Sequence, residues 1–196
     1  MEAITKPTRG HGLLEGFLAQ KRAAMAEGLI NDDLRTGRIL DIGCGSVPLF
    51  LLSTRFAEKH GMDQIPRIQD IAGINYQTVN TGREQRLPYD DGYFSVVTML
   101  AVIEHMEPSD VSFILGDIRR LLKTGGQIIL TTPASWSDKL LRVMAGMHLV
   151  SPEEINEHKD TFSRPKIRAL LEAAGFDRVE TGYFEMGLNL WARAAK

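Results

Sequence analysis

RILDIGCGSVP, running from Arg38 to Pro48, is the stretch on which the fold turns. Ile39, Leu40 and Ile42 read as a short buried strand that breaks into an acidic, glycine-rich turn carrying Asp41, Gly43, Cys44 and Gly45. A turn like this at the carboxyl end of a first parallel strand is where open α/β sheets bind nucleotide-like ligands. Gly43 and Gly45 give the backbone freedom to turn, and they carry no Cβ to hold a ligand away. A helix following the turn would aim its first N–H groups at the ligand. The Asp41 carboxylate can accept hydrogen bonds from an ammonium or a hydroxyl.

The chain on either side alternates strand and helix patterns. Upstream, Leu13, Leu14, Phe17, Leu18, Met25, Leu29 and Ile30 recur at helical spacing. Downstream, residues 49–56 read as a short helix, 59–63 as a second strand and 74–79 as a third. Phe94 to Leu100 is a near-continuous apolar run, as expected of a strand covered on both faces. Pro108 opens an amphipathic helix that Thr124-Gly125-Gly126 is expected to end, and 127–132 forms the fifth strand. Ser163-Arg164-Pro165 starts a last helix, closed by Gly175, and 176–184 with 188–192 makes a final strand pair. Such alternation predicts a parallel sheet with helices on both faces. One domain over 1–196 is expected, with an N-terminal helical segment at 1–36 and an irregular insertion at 134–161.

Asp63 lies twenty residues after Gly43, at the end of the second strand, where a carboxylate can take charge-assisted hydrogen bonds from ribose hydroxyls. With that residue in place, several motifs resemble one family. RILDIGCG resembles the first motif of the class I S-adenosylmethionine-dependent methyltransferases, and KHGMDQ resembles their Gly-hydrophobic-Asp segment. LPYDDGYFSVVTMLAVIEHM is similar to the Leu-Pro-Phe…Glu-His stretch of the small-molecule subgroup, which includes the quinone-biosynthesis-type enzymes. LLKTGGQIILTTP resembles the segment before the family's fifth strand. The resemblance covers about residues 37–196 and implies a three-layer Rossmann-like α/β fold. Its sheet would be mostly parallel and seven-stranded, with the last strand antiparallel.

The resemblance further implies S-adenosylmethionine as cofactor, leaving as S-adenosylhomocysteine, and methyl transfer to an O, N or C atom of a small molecule. Asp41, Gly43, Cys44, Gly45, Asp63, Leu100 and Ala101 are the implied cofactor contacts. Two positions depart from the pattern: Ser95 stands where an Asp is usual, and Arg83 where an Asp commonly meets the adenine amino group. Glu84 substitutes for that Asp, or backbone near Gln85 holds the adenine. His105, in the Glu-His pair, and His148 and His158, in the insertion, are the candidate bases; each also has a structural reading as a packing or surface histidine. Trp136, Met144, Met147 and Leu149 line an acceptor pocket or pack a lid. Phe17 and Lys21 share a face of the first helix, which could close over the cofactor, although core packing suits Phe17 better.

Two other functions fit the first motif: an NAD(P)-dependent oxidoreductase, and a non-catalytic cofactor-binding regulatory module. Pro48 counts against the oxidoreductase, because the dinucleotide fingerprint wants a small residue there. Net charge is −2 and no long basic tract occurs, which argues against nucleic acid as a partner. Cys44 is the only cysteine, so no intrachain disulfide forms, and small buried filler is its simplest role. No compact ligand cluster suggests a metal. The N-terminus lacks the apolar core of a signal peptide, and the longest apolar run is too short to span a bilayer, so a cytoplasmic protein is expected. Oligomeric state and the acceptor's identity are not encoded in any motif.

Overall fold

Seven strands make one sheet in the computed structural model, which describes residues 15–66, 70–79, 86–137 and 159–196. They are β1 (Arg38–Ile42), β2 (Glu58–Asp63), β3 (Asn75–Thr78), β4 (Phe94–Leu100), β5 (Leu122–Pro133), β6 (Asp177–Phe184) and β7 (Asn189–Ala195). Their order is β3-β2-β1-β4-β5-β7-β6. The first five run parallel, and β7 is antiparallel to both β5 and β6. The expected architecture is the observed one. Because β2 lies on one side of β1 and β4 on the other, the chain switches direction across β1, and the carboxyl ends of β1 and β4 flank the switch point.

The helices are α1 (Glu15–Leu29), α2 (Leu49–Ser53), α3 (Pro108–Leu121) and α4 (Arg164–Ala173). The strand side-chain period of two sorts the core into two layers. Leu40, Ile42, Val97, Met99, Ile128 and Leu130 pack with Val111, Ile114, Leu115 and Ile118 of α3 and Ile167 and Leu171 of α4. Ile39, Val96 and Ile129 face the other way, onto Ala23 and Ala26 of α1 and Phe50 and Leu51 of α2. α4 starts as its sequence predicts: the Ser163 hydroxyl accepts the Lys166 N–H, and Gly175 closes it at φ 86°.

Three local expectations change. α2 is a single turn ending at Ser53, because Thr54 is extended and the Lys59 ammonium donates to the Leu51 carbonyl at its end. It is too short to present a substantial dipole. Thr124-Gly125-Gly126 does not cap α3, which ends at Leu121. Those residues bulge out of β5, where Phe94 pairs with Leu122 but Val96 pairs with Gln127. Gly125 N–H and Gly126 C=O there bond the backbone of Lys196. Phe17 is 55% exposed rather than in the core, with the Lys21 ammonium over its ring.

The ends of the expected insertion are pinned together, since Ala134 bridges Phe162 and Ser135 N–H donates to the Phe162 carbonyl. Arg83, Glu84, Gln85, Met144, Met147, His148, Leu149 and His158 lie outside the described residues. No described helix is long and apolar enough to cross a membrane.

Candidate functional site

The turn after β1 is anchored to the end of β2. Gly43 and Cys44 N–H groups both donate to the Met62 carbonyl, at 2.7 and 3.2 Å. Gly43 and Gly45 take φ of 73° and 72°, conformations that strain any other residue. Asp63 turns toward the loop: its Oδ2 accepts the Gly45 N–H at 2.8 Å and its Oδ1 accepts the Ile65 N–H at 3.0 Å. It is 4% exposed. Two backbone donors thus fix the carboxylate's orientation toward the glycine loop.

The reading of Gly43 needs refining. A Cβ there would come within 2.4 Å of Val102 Cγ2, so the space it leaves open is taken by a side chain of this protein. Val102 follows Ala101, whose φ is 59° and whose N–H donates to the Thr131 carbonyl at 2.9 Å. This kink at the end of β4 carries Val102 over the glycine and brings the ends of β1 and β4 together. Leu100 is partly buried and packs on the α1–α2 side.

Asp41 is buried at 3% exposure on that same side of the sheet, and Thr98 Oγ1 donates to its Oδ1 at 2.6 Å. Burial pushes the carboxyl's pKa up to about 7, the Thr98 bond opposes this, and the Asp63 charge adds to it. Cys44 sits against Gly61, where a Cβ would approach its Sγ to 2.9 Å. Burial first, then the Asp41 and Asp63 charges, raise its thiol pKa, so it stays protonated and inert, in keeping with the filler role.

Of the Glu-His pair, Glu104 is a structural tie. Its Oε2 accepts the Thr132 hydroxyl at 3.0 Å, and its carbonyl accepts the Lys159 N–H at 2.8 Å, joining the ends of β4 and β5 to the segment that leads into α4. His105 closes the 3-10 turn Ile103–His105 and is half-buried. Ser95 is buried at the far end of β4, against the backbone of Gly37, where a Cβ would collide with its Oγ. Its departure from the usual Asp therefore does not touch the loop region.

Thr98, Thr131 and the contact of Val102 with Gly43 escaped the sequence reading. Thr98 left a trace: it is a polar residue inside an apolar run, in register with Asp41. Val102 left none, because its contact depends on the kink at Ala101. Among the described residues no three His, Cys, Asp or Glu side chains gather as a metal site.

A family described as "Methyltransferase domain" matches residues 13–181. An uncharacterized methyltransferase of Synechocystis sp. is 29% identical over 105 residues, a match that spans half of this chain and half of that protein. An S-adenosylmethionine-dependent methyltransferase of Thermotoga maritima, described as a possible histamine N-methyltransferase, superposes with a TM-score of 0.71 at 20% identity, covering 94% of this chain and 91% of that one. A methyltransferase of Haloferax volcanii, solved in complex with the Trm112 activator, gives 0.65 at 15% identity, covering 94% and 98%. These two likenesses establish the shared fold.

Proposed function

The chain belongs to the methyltransferase domain family, and from that premise we propose that it moves the methyl group of S-adenosylmethionine to a small-molecule acceptor by in-line displacement. The observation that carries this reading is the Asp63 carboxylate, held against Gly45 beside the switch point of the sheet. The donor set suits the cofactor's chemistry. Asp63 accepts from ribose hydroxyls, Asp41 faces the positive amino acid end, and the Gly43–Cys44–Gly45 backbone with Leu100 and Ala101 borders the rest. Glu84, or backbone near Gln85, is assigned to the adenine.

The bound cofactor supplies a methyl on a positively charged sulfur, so the chain need not supply an electrophile. Its task is to exclude water and align the acceptor, which lowers the barrier by several kcal/mol. An acceptor that keeps its proton at neutral pH needs a base as well. His105, His148 and His158 are the imidazoles of this reading, and residues 134–161 are its acceptor-side insertion.

Titration calorimetry with S-adenosylhomocysteine and with NAD tests the proposal. The homocysteine analogue binds and NAD does not; the reverse result overturns it in favour of an oxidoreductase. Asp63→Asn keeps a side chain of the same shape but loses the charge, and weakens the analogue about tenfold or more, the worth of a charged hydrogen bond. Unchanged affinity removes the ribose assignment. A chain that binds the analogue but turns over no acceptor is the regulatory module.

A further inference from the structure

Asp41 has a narrow set of neighbours. Register partners on adjacent parallel strands share a face of the sheet. On β2 the partner of Asp41 is Gly61, which has no side chain, and the space over it is taken by the Cys44 thiol and Leu51. On β4 the partner is Thr98, at 0% exposure. α1 brings Ala23 and Ala26 to this face of the sheet, and α2 brings Phe50 and Leu51. The Thr98 hydroxyl is therefore the one side-chain donor to Asp41 among the described residues. Around it β4 is apolar, with Phe94, Val96, Val97 and Met99 all buried. Valine would fill the same space at Thr98 without burying a polar group, so the hydroxyl needs a reason.

A hydroxyl has a single proton to give. Thr98 Oγ1 lies 3.4 Å from the Leu40 carbonyl oxygen and 2.6 Å from Asp41 Oδ1. The shorter contact, to the carboxyl, takes the proton. That bond favours the charged form of Asp41, because a hydrogen bond to an ionised acceptor is about twice as strong as a neutral one. Two other influences favour the neutral form. Burial pushes the carboxyl's pKa up to about 7 against the pull of Thr98, and the charge of Asp63 on β2 adds to the rise. The Cys44 thiol beside it stays protonated and contributes no charge. Buried, hydrogen-bonded through one oxygen and next to a second carboxylate, Asp41 is balanced between two protonation states. A cation arriving at its other oxygen tips that balance.

We propose that Thr98 is a positioning residue for cofactor binding: through its bond to Asp41 it sets how readily that carboxyl gives up a proton in exchange for the cofactor's ammonium. The inference rests on the methyltransferase reading and deepens it. While Asp41 is neutral, Oδ1 accepts from Thr98 and the proton sits on Oδ2. A neutral carboxyl offers an ammonium little attraction, and a carboxylate offers a full charge pair. Binding therefore breaks the Oδ2–H bond, leaves its electron pair on Oδ2 and sends the proton to solvent. Two consequences follow from this exchange. Affinity rises with pH through the titration of Asp41, and binding at lower pH releases a proton. Without the Thr98 hydroxyl the proton is held more tightly, and the same exchange takes place at higher pH.

Calorimetric titration with S-adenosylhomocysteine at pH 6 and pH 7, in two buffers of different ionisation enthalpy, reads affinity and proton release together. The probe's own ammonium largely keeps its proton at both pH values. The parent binds about fivefold tighter at pH 7 than at pH 6 and releases close to one proton at pH 6. Thr98→Val keeps the shape in the sheet and removes the donor. Its rise in affinity moves up by about one pH unit, so at pH 7 it binds about fivefold more weakly than the parent. Thr98→Ser restores the parent's profile, and Asp41→Asn abolishes the proton release. A Thr98 that only packs would alter the melting temperature and leave the pH profile in place. Thr98→Ala, which also lacks the hydroxyl, is read in the same way if the valine variant does not fold. The inference is wrong if the parent releases no proton at pH 6, if the variant without the hydroxyl titrates with the parent, or if serine titrates with valine. In each of these cases S-adenosylhomocysteine still binds and the cofactor reading stands. No binding by the parent at either pH removes both.

Discussion

Asp41 stores an electrostatic cost inside the sheet. Its carboxyl titrates at about 7 instead of 3.8, chiefly because water is excluded. Between those two values the folded chain keeps a proton that the unfolded chain has released, so the contribution to stability falls as pH rises and is fully lost above 7. Asp41→Asn keeps the acceptor oxygen for Thr98 and removes the charge. The variant is therefore more stable than the parent at pH 8, by up to about 4 kcal/mol, and the gap narrows sharply toward pH 4. Urea unfolding of both proteins at pH 5 and pH 8 measures it; a gap of constant size shows that Asp41 is not the titrating group. On the proposed reading, in which Asp41 faces the cofactor's ammonium, the same substitution also weakens S-adenosylhomocysteine. Stability and binding move in opposite directions, as expected where a functional group is kept against its folding cost.

At the scale of elements, the loop after β1 and the kink after β4 fit each other. Gly43→Ala forces an alanine to φ 73° and drives its Cβ into Val102. The conformation alone costs about 1–2 kcal/mol, and the collision adds to it. Val102→Ala in the same chain relieves the collision but not the conformation. A double-mutant cycle by denaturant unfolding gives a coupling of about 1 kcal/mol or more between the two positions; strict additivity means that the two segments do not touch. The bulge in β5 follows the same logic of fit. Gly126 has no room for a Cβ, which would lie 2.9 Å from the Lys123 carbonyl oxygen and 3.0 Å from that of Ser95. Of the glycine pair that reads as a helix stop in sequence, Gly126 is required by a close backbone approach within the sheet and Gly125 by its φ of 75°.

For the whole molecule, ligand binding and folding are linked. A ligand that binds only the folded chain at a hundred times its dissociation constant adds about 2.7 kcal/mol of stability. For a chain of this length that raises the melting temperature by roughly 5–10 °C. S-Adenosylhomocysteine produces this shift, and NAD at the same concentration leaves the melting temperature where it was. A shift with NAD alone assigns the crevice to a dinucleotide. The C-terminal strand matters at this scale too. β7 sits between β5 and β6, and Arg193 on it donates to the Leu29 carbonyl of α1, so the end of the chain ties both layers together.

Strand and helix positions and the Asp63–glycine pairing were legible in the sequence because they rest on local chemistry. Short apolar runs buried on both faces mark β1 and β4, glycines mark the turn, and a carboxylate at a strand end twenty residues on follows from strand-crossover spacing. Gly43's neighbour, the bulge at Thr124–Gly126 and the exposure of Phe17 were not legible. Each depends on which distant segments meet: Val102 reaches Gly43 from the end of another strand, and the residues of the β5 bulge meet the C-terminal residue Lys196. Residues carry their own propensities along the chain, but contact between segments is decided only when the sheet closes its order and register.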